Sequence, residues 1–199
     1  MKETHSKLNE FASRGWTVIE NWLPTDEATE FFRFAHGRRE SGAFKRAGVG
    51  RAAATKIENE IRRDEISWLE RGSSPESDRL LDRLEALRET LNREFFLGLR
   101  EFEAHIAFYP PGGFYERHVD RFRDDDSRVV SGVLYLNQHW QETDGGKLAI
   151  FAAPEVKFEV EPRLGTLVLF ESSKTEHAVQ EAFRERWSVA IWFRRQKPA

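Results

Sequence analysis

The 199-residue chain is predicted to adopt an α+β fold, in which N-terminal helices support an antiparallel double-sheet barrel of the jelly-roll type. Two observations predict this fold. Helical apolar spacing is confined to the first hundred residues, and short β-rich segments separated by turn residues follow after about Phe102. The length fits one domain over residues 1–199, with 1–100 as mainly helical support and 101–199 as the barrel that carries the site.

The first hundred residues predict three helices and one short strand. The longest helix has apolar residues at spacings of three and four with charges between them, as expected for a helix that packs on one face. A second helix opens at the start signal Pro24-Thr25-Asp26. The predicted helices span residues 8–14, 26–36 and 77–96, and the strand spans residues 16–19. Residues 42–54 are rich in Gly, Ala and Arg without an apolar period, which predicts a loop long enough to be a candidate for function.

The second half of the chain predicts six strands. Glycine- and proline-rich turns separate them, at residues 110–113, 144–146 and 163–166. The predicted strands span residues 104–109, 129–136, 147–151, 156–160, 167–170 and 187–193. Many short strands that follow a helical segment are typical of a double-sheet barrel backed by helices.

Composition excludes several classes of protein and site. The formal net charge of -3 gives no general attraction to nucleic acid or to an anionic membrane, so we expect neither as a partner. No apolar run has the length of a membrane helix and no signal-peptide pattern opens the chain, which predicts a cytoplasmic protein. The chain has no cysteine, so a metal would have to bind to nitrogen and oxygen.

Four polar residues in the second half form a pattern that indicates metal chemistry. Residues at i and i+2 of a strand face the same side, so His118 and Asp120 could present an imidazole and a carboxylate to one ion. His177 follows an apolar strand and is the natural third ligand of a 2-His-1-carboxylate triad, which leaves open iron positions for an oxo-acid and oxygen. Arg186 begins an alternating strand that could aim its guanidinium inward, where its fork suits the distal carboxylate of a dicarboxylic acid.

The order of these residues carries the interpretation, because a His-x-Asp pair by itself is common among solvent-facing residues. The remaining histidines lack comparable partners in the sequence, and we assign them no role. They are His5, His36, His105 and His139.

Over residues 46–193 the sequence resembles the prolyl hydroxylases of the 2-oxoglutarate oxygenase superfamily, of the hypoxia-inducible-factor type and its bacterial relatives. The motifs that carry the resemblance are RAGVGR at 46–51, IRRDEISW at 61–68, YPPGGFYERHVD at 109–120, YLN at 135–137, GGKL at 145–148 and HAVQ at 177–180. One departure is Arg63, which stands where the animal enzymes have glycine. The resemblance implies a double-stranded β-helix with Fe(II), 2-oxoglutarate and O2 at its site, and ascorbate as a further possible ligand.

The resemblance also implies roles for individual residues. It implies that His118, Asp120 and His177 ligate iron, and that Arg186 and Tyr135 bind the distal carboxylate of 2-oxoglutarate. The other positions that it implies around the co-substrate are Tyr109, Val133, Leu148, Val179 and Trp192, and those that it implies on the substrate side are Asp64, Trp68 and Arg128. For the apolar positions among these, core packing is an equally good interpretation.

The expected reaction is hydroxylation of C4 of a proline in a protein, with succinate and carbon dioxide as products. Elongation factor Tu is the expected substrate, and a ribosomal protein is an alternative. The segments 46–51 and 61–68 would clamp the peptide. Three alternatives stay open. The first is an oxygenase with the same iron site that acts on another protein residue, on a small molecule or on nucleic acid. The second is a noncatalytic metal-binding jelly-roll module, and the third is an oxygen sensor.

Overall fold

The computed structural model describes residues 2–48, 58, 60–120, 127–152 and 155–196. The helices are α1 (Lys2–Arg14), α2 (Thr25–Glu40) and α3 (Pro75–Phe95). The strands are β1 (Trp16–Ile19), β2 (Lys45–Arg46), β3 (Glu65–Trp68), β4 (Leu99–Tyr109), β5 (Gly113–His118), β6 (Arg128–Tyr135), β7 (Leu148–Ala152), β8 (Glu155–Val160), β9 (Leu167–Glu171), β10 (Glu176–Ala182) and β11 (Arg186–Arg195). A short 3-10 helix covers Glu142–Asp144.

The strands form two antiparallel sheets, which confirms the predicted α+β double-sheet fold. The larger sheet has the order β1-β9-β6-β11-β4-β3-β2, and the smaller sheet has the order β5-β10-β7-β8. Two apolar clusters fill the structure. One joins the helices to one face of the larger sheet, and the other holds side chains of both sheets, such as Tyr135 of β6 and Ile150 of β7. Within the described ranges, no helix combines the length and apolar character needed to cross a bilayer.

All three predicted helices are present, with different ends. Helix α1 begins at Lys2, six residues before the predicted start. Helix α3 begins at Pro75, two residues before the predicted start, because Ser74 Oγ accepts a hydrogen bond from the backbone N–H of Ser77 at 3.1 Å and proline suits the first helical position. It ends where Phe96 takes a left-handed conformation (φ 53°). Helix α2 continues to Glu40, four residues beyond the predicted end, and carries Arg38 and Arg39 in its last turn, where cations are favourable.

Four of the strands in the described residues were not predicted from the sequence, namely β2, β3, β5 and β10. Strand β2 lies inside the segment predicted to be a loop, and residues 49–54 of that segment lie outside the described residues. Strands β5 and β10 carry many polar residues and give no apolar run. This matters for function, because β5 and β10 hold two of the predicted metal ligands.

The side chain of Asn137, just after β6, forms hydrogen bonds to two neighbouring chain segments. Its side-chain amide donates to the backbone carbonyls of Pro162 at 2.7 Å and Trp187 at 3.0 Å, and its Oδ1 accepts from the backbone N–H of Trp187 at 2.7 Å. The residue is 4% exposed. These bonds give a structural reason for the YLN motif, since they hold the start of β11 against β6.

We expect Asn137→Ala to lower the free energy of unfolding by about 2–4 kcal/mol, because it leaves buried backbone groups without partners. Urea denaturation would measure the change. Gln138→Ala is the matched control, since Gln138 makes one partly buried hydrogen bond, to Thr29 Oγ1 at 2.9 Å, and should cost much less. Equal losses in the two variants would contradict this account of Asn137.

Candidate active site

The two predicted histidine ligands face each other across neighbouring strands of the smaller sheet. His118 is the last residue of β5 and is the register partner of His177 in β10. Asp120 lies two residues beyond the end of β5, so the His-x-Asp pair does not lie within a strand as the sequence analysis assumed. The chain leaves the strand after His118, and the three side chains still converge.

The convergence is close enough for one metal ion. One potential ligand atom from each of His118, Asp120 and His177 lies within 4.8 Å of the other two. The Nε2 atoms of His118 and His177 are 3.6 Å and 3.8 Å from the two carboxylate oxygens of Asp120. Two imidazoles and one carboxylate suit a first-row transition metal such as iron.

The hydrogen bonds of both imidazoles point the same nitrogen towards the cluster. Nδ1 of His118 is 2.6 Å from the carbonyl oxygen of Glu116, and Nδ1 of His177 is 3.1 Å from that of Thr175. A carbonyl only accepts, so Nδ1 is the donor in each ring and Nε2 is the nitrogen that faces the cluster. Such bonds to the other ring nitrogen are what orient metal-binding histidines.

The protonation states at this cluster favour a metal. Burial lowers the pKa of His177 to about 4, so the imidazole is neutral at neutral pH. Burial alone would raise the pKa of Asp120, but the neighbouring His177 and His118 outweigh it and hold that pKa well below its usual range. The cluster therefore presents a carboxylate and a neutral imidazole without competition from protons.

The long side chain of Arg186 is almost completely buried, at 1% exposure. Its Nε donates to the carbonyl oxygen of Gly146 at 2.8 Å and its Nη1 to Ser188 Oγ at 3.3 Å. Its Nη2 and the Oη of Tyr135 are buried without a hydrogen-bond partner among the described residues. Because a buried unpaired donor is costly, two such atoms beside each other indicate a binding position for an anion.

Gly146 makes room for this arginine. Its backbone has φ +62°, a conformation that other residues rarely adopt, and a Cβ there would lie 3.0 Å from Cδ of Arg186 and 3.1 Å from the ring of Trp140. The carbonyl oxygen of Gly146 then accepts a hydrogen bond from Nε of Arg186. The GGKL motif thus has a direct physical role in placing Arg186.

One cavity of about 370 Å³ joins the cluster to Arg186. Most residues expected around the co-substrate line it: Tyr109, Val133, Leu148, Val179 and Trp192. Tyr135 is fully buried beside Arg186, whose Cζ lies 5.2 Å from its ring centroid, and burial raises the pKa of Tyr135 to about 12. The hydroxyl therefore stays protonated and able to donate.

The three residues expected on the substrate side have different environments. Trp68 is 45% exposed at the edge of the cavity. Arg128 also lines the cavity, where its guanidinium lies 4.0 Å from the ring of Trp192 and hydrogen bonds to Glu103. Asp64 is buried and its carboxylate forms an ion pair with Arg62, so Asp64 holds the side chain of Arg62 in position. The substrate role of all three stays a prediction.

Several cavity residues were given no role from the sequence, and Arg62, Tyr115 and His105 are three of them. His105 is packed against Trp68 and Trp192, with ring centroids 4.9 Å and 5.2 Å away. Burial, together with nearby arginines, lowers its pKa to about 3, so it is neutral. The sequence held one signal that His105 lines the cavity. It stands two residues before Ala107, which also lines the cavity, and alternate residues of a strand share a face.

Comparisons with known proteins agree with this geometry. Residues 104–194 match the model of the 2OG-Fe(II) oxygenase superfamily. A prolyl-4-hydroxylase from Pseudomonas putida is 41% identical, with 97% of this chain and 99% of that chain covered and a TM-score of 0.88. A prolyl hydroxylase from Trichoplax adhaerens, solved with a peptide fragment of the hypoxia inducible factor oxygen degradation domain, is 27% identical, with 97% and 89% covered and a TM-score of 0.84.

A more distant structure shares the fold alone. It is a viral collagen prolyl hydroxylase from Paramecium Bursaria Chlorella virus-1 in complex with 2OG, with 19% identity, 94% of this chain and 98% of that chain covered, and a TM-score of 0.67. The match to the superfamily model and the identity to the Pseudomonas putida enzyme over nearly the full length of both chains agree with the clustered histidines and carboxylate. The chain belongs to the 2OG-Fe(II) oxygenase superfamily, whose metal is Fe(II) and whose co-substrates are 2-oxoglutarate and O2, and within it the chain is similar to prolyl hydroxylases.

Proposed function

We propose that this protein is a prolyl 4-hydroxylase that acts on a prolyl residue of a protein. The observation that carries the proposal is the pairing of two features in one cavity. A His, Asp and His cluster able to hold a metal lies in the same cavity as a buried arginine with an unpaired guanidinium nitrogen. An oxygenase that uses a dicarboxylic co-substrate requires both features.

His118, Asp120 and His177 would hold the iron, and their donor atoms fit Fe(II) because two imidazole nitrogens and a carboxylate oxygen lie within 4.8 Å of one another. With Fe(II) and 2-oxoglutarate bound, the site supplies an oxidation in which O2, 2-oxoglutarate and a C–H group give a C–OH group, succinate and carbon dioxide. The residues themselves contribute geometry. The backbone bonds at both Nδ1 atoms keep each Nε2 directed at the ion before it binds.

Arg186 and Tyr135 would hold the distal carboxylate of 2-oxoglutarate. The Nη2 of Arg186 and the Oη of Tyr135 are both buried and have no hydrogen-bond partner among the described residues. The remaining wall is apolar where Val133, Leu148 and Val179 line the cavity, which keeps water from the carboxylate and strengthens its bonds. Tyr109, whose ring centroid is 5.0 Å from the guanidinium of Arg186, completes this end.

The substrate would enter where Trp68, Trp192 and Arg128 line the cavity. An exposed indole and a guanidinium suit a prolyl ring and its neighbouring carbonyl group. Similarity to the Trichoplax adhaerens prolyl hydroxylase, which was solved with a peptide fragment, supports a protein substrate. Elongation factor Tu is the first candidate that we would test. Such a substrate would meet the enzyme in the cytoplasm, and ascorbate could serve as a reductant.

The proposal predicts that the protein with Fe(II) turns 2-oxoglutarate into succinate and that a proline-containing substrate raises the rate at least about 10-fold, since coupling to substrate is what the site is built for. Succinate would be measured by mass spectrometry, together with a +16 shift on one proline of the substrate. His177→Ala should abolish both signals. His139→Ala is the control, because His139 lies outside this cavity.

Each outcome separates the remaining functions. Succinate without stimulation by any proline substrate would leave an oxygenase with another substrate. Verified binding of Fe(II) and 2-oxoglutarate without turnover would overturn the catalytic proposal and favour a binding module.

A further inference from the structure

A column of flat side chains supports one of the proposed iron ligands from outside the metal site. We name it the Arg62 stack, and it consists of Asp64, Arg62, Tyr115 and His118. The carboxylate of Asp64 binds Arg62 in bidentate fashion, at 2.6 Å and 2.5 Å. The guanidinium carbon lies 4.2 Å from the ring centroid of Tyr115, and that ring lies on the imidazole of His118 with centroids 3.7 Å apart and planes inclined by 18°.

The stack clamps the tyrosine ring between two groups. A ring has two faces, and an imidazole 3.7 Å from its centroid fills one of them. The guanidinium of Arg62, at 4.2 Å, therefore packs on the other face of the Tyr115 ring. Such close parallel packing fixes the plane of each member, because tilting one ring would drive it into the next.

The backbone holds the two halves of the stack together. Arg62 and Tyr115 form an isolated antiparallel bridge. The N–H of Glu116 donates to the carbonyl of Ile61 at 2.8 Å, and the N–H of Arg63 donates to the carbonyl of Phe114 at 3.0 Å. The segment that carries Arg62 thus runs alongside β5, which carries His118.

The ion pair at the end of the stack is buried, with side-chain exposures of 11% for Arg62 and 0% for Asp64. Burying two charges is costly, and a buried pair often adds little net stability compared with apolar residues of similar volume. Its geometry is more informative than its energy. The pair fixes the guanidinium plane over Tyr115.

His118 needs this support more than His177 does. The side chain of His118 is 18% exposed and that of His177 is 6% exposed. The two imidazole centroids are 4.3 Å apart. The ring of Phe170 also lies 4.5 Å from that of His177, and the ring of Tyr115 lies 3.7 Å from that of His118 and nearly parallel to it. The hydrogen bond from Nδ1 to Glu116 holds one edge of the His118 ring, and the face of Tyr115 holds its plane.

We propose that Arg62 and Tyr115 are positioning residues for His118, so that the affinity for the metal depends on two residues that do not themselves bind it. The inference rests on the proposed function, since it takes His118 to be a metal ligand. Loss of an outer-shell partner typically weakens metal binding by about 10- to 100-fold. We expect the same order of effect when the stack is opened.

The test uses Co(II) as the probe, with binding followed by calorimetry and by the visible absorption of the bound ion. Tyr115→Leu removes the flat ring and should weaken Co(II) binding about 10-fold. Tyr115→Phe keeps the ring and loses only the hydroxyl group, so it should retain the wild-type affinity and spectrum.

A double variant tests the charged end of the stack without leaving a buried unpaired charge. Arg62→Met with Asp64→Leu replaces the pair by apolar side chains, and it should weaken Co(II) binding about threefold or more because Tyr115 loses one wall. The control is Arg83→Met with Glu27→Leu, which removes another bidentate pair, between α3 and α2, at 2.8 Å and 2.5 Å. Thermal unfolding without metal would show that each variant is folded.

The outcomes distinguish the two proposals. Weaker Co(II) binding and an altered spectrum in the leucine variant and in the stack double variant, with the phenylalanine variant and the control unchanged, would support the stack. Wild-type binding in all four would overturn the inference and leave the proposed function intact. A wild-type protein that binds no Co(II) at this site would overturn both.

Discussion

Replacing Asp120 with asparagine is expected to weaken metal binding by at least about 100-fold and to remove succinate formation, because the cluster loses its only anionic ligand. The two imidazoles that remain are neutral donors. Asparagine has the shape of aspartate, so the change removes the charge and leaves the packing. Calorimetric titration with Fe(II) under anaerobic conditions, and succinate formation at saturating 2-oxoglutarate, would measure the two effects.

Stability measurements can separate this effect from unfolding. The neighbouring histidines outweigh burial and favour the charged form of Asp120 in the folded protein, so the metal-free variant should unfold cooperatively at a somewhat lower temperature than the wild type. The rise in Tm on adding metal should disappear, since that rise reflects binding to the folded state. Asp82→Asn is the control, because Asp82 is an exposed partner of Arg71 at 2.7 Å. A wild-type affinity for Fe(II) in the Asp120 variant would remove this residue from the proposed ligands.

The sequence predicted the chemistry of the cluster better than the elements that carry it. His118, Asp120 and His177 were selected by residue type and order, and the structure brings them within reach of one ion. Strands β5 and β10 were missed because their polar residues give no apolar alternation. A strand at the mouth of a site has one face turned to a polar cavity, so its pattern does not follow the rule for a strand against an apolar core.

The helices were predictable because their signals are local. Leu80, Leu84, Leu87 and Leu91 repeat at the helical period, and all are buried against the larger sheet. The errors were at helix ends, where the capping hydrogen bond of Ser74 decides the first residue. Such a bond depends on one side-chain conformation and leaves a weaker trace in the sequence than a repeated period.

The support around the site could not be predicted, since it depends on contacts between distant segments. The pairing of Arg62 with Asp64 is close in sequence, but its stacking on Tyr115 joins residues more than fifty positions apart. The same holds for Gly146, whose lack of a side chain leaves room for Arg186, forty positions later in the sequence. Residue types indicate which groups can react, and the three-dimensional packing decides which groups hold them in place.

Replacing Arg186 with lysine is expected to raise the KM for 2-oxoglutarate about 100-fold, which corresponds to about 2.7 kcal/mol, because a single ammonium group replaces a planar fork in a buried position. Lysine keeps the positive charge, so the loss of affinity for 2-oxoglutarate would measure the contribution of the planar guanidinium geometry. Tyr135→Phe removes one hydrogen bond from an uncharged donor to the carboxylate and keeps the ion pair with Arg186, so it should raise the same KM by less, about 10-fold. Succinate formation as a function of 2-oxoglutarate concentration would measure both.

The control for Arg186 lies two residues earlier in the chain. Arg184 is 45% exposed in its side chain and binds Asp144 at 3.2 Å, so Arg184→Lys should leave the KM for 2-oxoglutarate within about twofold of the wild type, as expected for a surface pair. The rate at saturating 2-oxoglutarate should fall less than the KM rises in Arg186→Lys, since the carboxylate contact is made before and during the reaction alike. If Arg186→Lys bound 2-oxoglutarate as well as Arg184→Lys does, the unpaired nitrogen of Arg186 would need another ligand, and the carboxylate end of the proposed site would have to be sought elsewhere in the cavity.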